Sequence, residues 1–185
     1  MTASQLATAS DVVSFWREAG PKAWFEKNEA FDARIRARFL PTYEAAADGR
    51  LSSWESNAEG ALALLLLLDQ FPRNMFRGQP RMFETDPMAR AIAASALVRG
   101  FDAEAPRDMV SFFYLPFEHS ESLKDQERAV ALFKATGDAD LLKWAEVHAD
   151  IIRRFGRFPH RNAVLGRATT AEEQAFLDDE ASFKG

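Results

Sequence analysis

Ser52-Ser53-Trp54-Glu55-Ser56-Asn57-Ala58-Glu59-Gly60-Ala61-Leu62-Ala63-Leu64-Leu65-Leu66-Leu67-Leu68 is the stretch on which the fold turns. Ser52 and Glu55 have the spacing of a capping box, and the run to Leu68 is apolar nearly all round, as a helix at the centre of a protein is. Its apolar part, Ala61 to Leu68, is far short of the roughly 20 residues that cross a bilayer. Burial in the core is expected, in preference to a self-association surface.

Working outward, both flanks read as helices. On the amino-terminal side, Ser10 or Asp11 is the expected cap of a short helix ending at Gly20. Trp24 and Phe25 anchor the next link. From Asn28 the stripe Phe31, Ile35, Phe39, Tyr43 and Ala46 repeats at helical spacing, with Pro41 expected to kink the helix and Gly49 to stop it. On the other side, Asp86-Pro87 starts a helix that ends at Gly100, and Pro106 opens a short aromatic helix through Phe112, Phe113 and Tyr114. A further helix runs to Gly137. Asp138 caps the next, whose inward stripe is Leu141, Trp144, Ala145, His148, Ile152 and Phe155, with Gly156 as its stop. Thr169-Thr170 before Glu173 has capping-box spacing for a last helix. No segment alternates like a strand, so the expectation is an all-α single domain over residues 1–185, built of packed antiparallel helix pairs.

Composition narrows the function classes. The chain has no cysteine, which excludes disulfides and thiolate chemistry, and its three histidines are too few for a metal-rich protein. The amino terminus lacks the basic start and apolar core of a secretory signal, so a cytoplasmic protein is expected. A net charge of −5 argues against nucleic-acid or anionic-membrane partners. The charge is uneven, however: Arg154 to Arg167 holds four arginines and no acid. Arginine outnumbers lysine 17 to 6, and guanidinium suits bidentate pairing with carboxylate or phosphate.

That basic stretch has an earlier echo. Phe71-Pro72-Arg73-Asn74 followed by Gly78 repeats the order of Phe158-Pro159-His160-Arg161-Asn162 followed by Gly166. In both, Pro is expected to end the preceding helix, Asn to cap a single turn and Gly to close it. Leu68 to Gly78, Pro116-Phe117-Glu118-His119-Ser120-Glu121 and Phe155 to Asn162 together resemble the bacterial domain-of-unknown-function 924 family. Val13-Ser14-Phe15-Trp16 and Leu165-Gly166-Arg167 with Thr170 and Glu173 fit it too, so the resemblance covers nearly the whole chain. It implies a tetratricopeptide-like helical fold and no settled reaction.

The candidate ligand-binding residues are Arg73, Asn74, Glu118, His119, Glu121, Arg157, His160, Arg161 and Asn162. Among them Glu118, His119 and His160 are the catalytic candidates, a carboxylate orienting an imidazole beside arginines that clamp an anion. The first reading is a site for a small phosphate- or carboxylate-bearing molecule, with hydrolase chemistry as its active form. The second is a non-enzymatic tetratricopeptide-like module for a peptide or protein partner. His148 sits in an apolar stripe and reads as a bonded core histidine. No HExxH-type spacing is present, and neither metal nor cofactor is expected.

Overall fold

Thr8 opens the first helix: its hydroxyl accepts the Asp11 N–H while the Asp11 carboxylate takes the Thr8 N–H. The cap therefore lies ahead of Ser10 and Asp11, where the sequence placed it. In the computed structural model, which describes residues 6–183, α1 spans Ala9–Phe25. The first five residues, read above for a signal, lie outside the described ones. Gly20, at φ 77°, bends α1 where a stop was expected, and Pro21 restarts it because a helical first turn needs no proline N–H. Among the described residues there is no strand, and the all-α expectation holds.

The residues fall into two compact units, each described here by itself. The first comprises the described residues up to Arg77 together with Arg81–Pro116. In it α2, Glu29–Ala47, is capped by Asn28 and runs on through Pro41 with Phe31, Ile35, Phe39, Tyr43 and Ala46 buried. Trp24 stacks on Trp16, while Phe25, 62% exposed, meets only the edge of the Trp24 ring among the described aromatic contacts.

The decisive stretch departs from expectation at both ends. Ser52–Ser56 forms a separate 3-10 turn, and α3, Ala58–Leu65, starts instead from Asn57, whose side chain accepts the Gly60 N–H at 2.9 Å. The turn lies so close that a Cβ on Gly60 would meet the Trp54 carbonyl oxygen at 2.1 Å, which is why a glycine stands inside a buried helix. At the other end Pro72 does not stop the helix. Leu66–Gln70 winds as a π turn, with the Phe71 N–H on Leu66 O, and hands on to α4, Phe71–Met75. Proline lacks the N–H that Leu68 O would receive in an α-helix, and the Thr85 hydroxyl donates to that carbonyl instead at 2.6 Å. From Ala61 to Leu68 every residue is at most 2% exposed, as the apolar run implied. Along the chain α5, Asp86–Val98, α6, Phe101–Glu104, and the short α7, Leu115–Glu118, follow.

The second unit comprises Gly78–Pro80 and the described residues from Phe117 on. Its frame is a helical hairpin of α8, Leu123–Thr136, and α9, Ala139–Phe155, turned by Gly137 at φ 75° and restarted by the Asp138 cap. Ala145, His148 and Ile152 face inward as expected, but Trp144 is 48% exposed. Ile151, Ile152 and Phe158 form a core against which Val147, Phe155, Phe176 and Phe183 pack. The last helix, Ala171–Asp178, carries the Thr170–Glu173 capping box that the sequence announced.

Candidate functional site

The two proline echoes are built differently. In the first unit the echo is helical, and its polar groups tie helices together. Arg73 pairs with both Asp86 oxygens at 3.0 and 3.2 Å and also donates to the Asp69 carbonyl. Asn74 is not an N-cap: its amide donates to Asp32 on α2 at 2.7 Å, and Arg77 grips the same carboxylate. Arg73 and Asn74 thus have partners within their own unit.

In the second unit α9 ends at Phe155 with Gly156 left-handed, and a 3-10 turn over Pro159–Arg161 follows. Here three of the expected site residues, Glu121, Arg157 and Asn162, meet in one network. The Arg157 fork holds Glu173 at 2.6 and 2.8 Å, and Asn162 donates to the same carboxylate at 3.2 Å. Glu121 takes both ends of Arg167 at 2.7 and 2.9 Å and the Phe158 N–H at 2.8 Å. Arg167 also donates to Asn162 and to Phe158 O. Burial pushes the Glu121 carboxyl up, but the Arg167 bonds and the Phe158 N–H outweigh it and hold the group below its ordinary value. The Arg157 bonds hold Glu173 at about 2.

Deeper in, Glu118 lies 3.2 Å from His148 Nδ1, which is also 2.8 Å from Trp144 O. A carboxylate and a carbonyl only accept, so Nδ1 carries a proton. Glu118 and His148 are both buried. His160 stands nearby, half-buried, with both imidazoles in ring contact with Phe158, and its buried Nδ1 has no hydrogen-bond partner among the described residues. Burial first, and the Arg161 guanidinium next, push His160 down to about 3, so it is neutral at any ordinary pH. Arg161 lies over the Phe158 ring at 4.5 Å and donates to the His119 carbonyl at 2.9 Å. Gln126 fixes the same loop from α8, donating to Glu118 O and Ser120 O.

His148 and Gln126 were missing from the sequence-based site. Each falls at ordinary helical spacing, and the pairing of His148 with Glu118 spans 30 residues of chain, so no local pattern shows it. Among the described residues no cluster of metal-ligating side chains occurs, and no helix is long and apolar enough to cross a membrane.

Residues 12–181 match the family model described as a bacterial protein of unknown function, DUF924. The chain belongs to the DUF924 family. A solved structure of a protein of unknown function from Agrobacterium tumefaciens is similar to this DUF924 chain at 49% identity and a TM-score of 0.89, covering 92% of this chain and 96% of that one. A comparison with curated proteins gives no match. The polar segments that suggested the family are thus, in this DUF924 member, the ion pairs and hydrogen bonds described above.

Proposed function

We propose that the second unit carries an acid–base site for a small anionic molecule, with hydrolysis as its chemistry. The observation that carries this reading is the buried Glu118–His148 pair, with Nδ1 of the imidazole engaged by acceptors. In such a pair the carboxylate orients the ring and stabilises the imidazolium formed when Nε2 takes a proton from a water or hydroxyl. In this reading the base is His148, in place of the sequence-based candidates His119 and His160. His160, held neutral, serves as a hydrogen-bonding group, and its unpartnered buried Nδ1 is a place for a ligand atom. Arg161 supplies the positive charge for the anion. Glu121, Arg157 and Asn162 act as the frame that holds the loop.

The test is hydrolysis of p-nitrophenyl acetate and p-nitrophenyl phosphate by the wild-type chain, His148→Gln and Glu118→Gln. The expected loss on removing the base is about 100-fold or more on the ester that is turned over. Turnover no better than buffer on both esters, or undiminished in His148→Gln, overturns the reading.

A second reading, a module for an acidic peptide, has one observation of its own in the first unit. A surface groove of about 490 Å³ between α1 and α2 is lined by Phe15, Glu18, Asn28, Phe31 and Arg34 among others. Arg34 lies over the Phe15 ring at 5.4 Å on the wall of this groove and brings a guanidinium group to an acidic occupant. Binding of a fluorescent oligoglutamate peptide that disappears in Arg34→Glu would support it; equal binding by both chains would remove it.

A further inference from the structure

In α5 the sequence and its burial do not match. Asp86-Pro87-Met88-Ala89-Arg90-Ala91-Ile92-Ala93-Ala94-Ser95-Ala96-Leu97-Val98 holds two charges, one of them at the first position, and is otherwise apolar or small nearly all round. A helix of that composition is suited to being covered on every side. It is covered on one: Ala89, Ile92, Ala93 and Ala96 are buried, while Pro87, Met88, Ala91, Ser95 and Val98 are exposed. Val98, at 86%, is more exposed than any other large apolar side chain among the described residues. Other long helices turn charges outward, such as Arg17, Glu18 and Lys22 on α1 or Lys143, Glu146 and Asp150 on α9. Within α5 no charged residue is exposed. Single apolar residues at a surface are ordinary, but an uncharged stripe along a whole helix marks a contact surface.

The stripe is complementary to its own reverse. Laid antiparallel on a second copy, with the two-fold axis at the level of Ala93, Met88 faces Val98 of the second copy and Ala91 faces its Ser95, and the same two pairs recur across the axis. The larger side chains then sit at the two ends and the small ones in the middle, where helix axes can approach to about 8 Å. Charge selects the same direction. Glu84 is exposed just before α5 and Arg99 just after it. Arg99 is held in place by the Glu55 and Ser56 carbonyls and lies over the Phe101 ring at 4.2 Å. Antiparallel copies bring these unlike charges together at both ends, parallel copies would bring like ones together, and the helix dipoles favour the antiparallel arrangement as well.

We propose that the outer face of α5 is an interface for a second copy of this chain, docked antiparallel about Ala93 to form a symmetric dimer. One helix face is small beside the roughly 800 Å² per partner of a standard interface, so the dimer is weak and forms at high protein concentration. It is independent of the acid–base reading, because none of its residues belongs to the second unit.

Sedimentation velocity and disulfide cross-linking test it, the latter on a clean background because the chain has no cysteine. Wild type is expected to pass from monomer to dimer as the concentration rises to about 1 mM. Val98→Lys should remain monomeric over the same range with an unchanged melting curve. The register is read from Met88→Cys and Val98→Cys. In the antiparallel pair each of these positions lies about 15 Å along the axis from its own copy, beyond the roughly 7 Å between Cα atoms over which a disulfide closes. An equal mixture of the two variants places them face to face, and should form covalent dimer at least about tenfold faster than either variant alone. A wild-type chain that stays monomeric to about 1 mM overturns the proposal and leaves the face to a partner other than this chain. A dimer that survives Val98→Lys places the association elsewhere and overturns it too. Cross-linking of either variant alone as fast as the mixture overturns the antiparallel register.

Discussion

Glu173 shows how much a single residue of this chain is asked to hold. Its carboxylate takes the Arg157 fork, the Asn162 amide and the Thr170 N–H while only 2% exposed. These partners, the Arg157 bonds first, lower it from 4.5 to about 2. A carboxyl depressed in the fold contributes stability that is present above its unfolded value and lost as the pH falls through its folded one, so the window is 4.5 down to about 2. Glu173→Gln should therefore melt below wild type at neutral pH, with the difference closing across that window. A Tm deficit that stays constant into acid would show that the charge of Glu173 is not what the network uses. His160 has the opposite character: an imidazole pushed to about 3 carries no charge near neutral pH, and its buried Nδ1 meets no hydrogen-bond partner among the described residues.

At the scale of elements, the join between α3 and α4 is the instructive one. A proline after an apolar run reads as a helix stop, because it removes one hydrogen bond and crowds the carbonyl four residues back. The π turn over Leu66–Gln70 relieves the crowding, and Thr85, 17 residues along the chain, fills the carbonyl left bare at Leu68. Thr85→Val keeps the shape and removes the donor, leaving a buried carbonyl unpaired at a cost of about 1–3 kcal/mol. Urea unfolding measures it, and a loss well below that range would mean that the join does not depend on this bond. The second proline echo has no such device. Gly156, at φ 69°, turns the chain before Phe158, so the same four residue types make a helix in one place and a 3-10 turn in the other. The residues that decide between them lie outside the motif.

At the scale of the whole molecule, the first unit is organised on the apolar helix with which the sequence reading began. Leu66 is fully buried within it. Leu66→Asp places an unpaired carboxylate there, a burden of several kcal/mol that a domain of ordinary stability does not survive. The expected outcome is a chain without cooperative unfolding by circular dichroism, and a folded Leu66→Asp protein would contradict the placement of this helix. The second unit has a smaller apolar core, and its loop is fastened by the two polar clusters, Arg157–Glu173–Asn162 and Arg167–Glu121–Phe158.

What the sequence determined by itself was local in its physics. Helical spacing without strand alternation, the Asp138 and Thr170 caps, the helix ends at Gly49, Gly100, Gly137 and Gly156 and the burial of Ala61 to Leu68 all depend on residues a few positions apart, and all were legible. Family membership was legible because its polar segments are continuous in the chain. The tertiary structure decided what depends on partners far along the chain: that Thr85 lets the helix pass Pro72, that Asn74 serves Asp32, that Glu118 finds His148, and that Phe183 returns to cover it. A polar side chain announces that it must be satisfied, but the partner that satisfies it is chosen by packing, which brings residues together without regard to their distance in sequence.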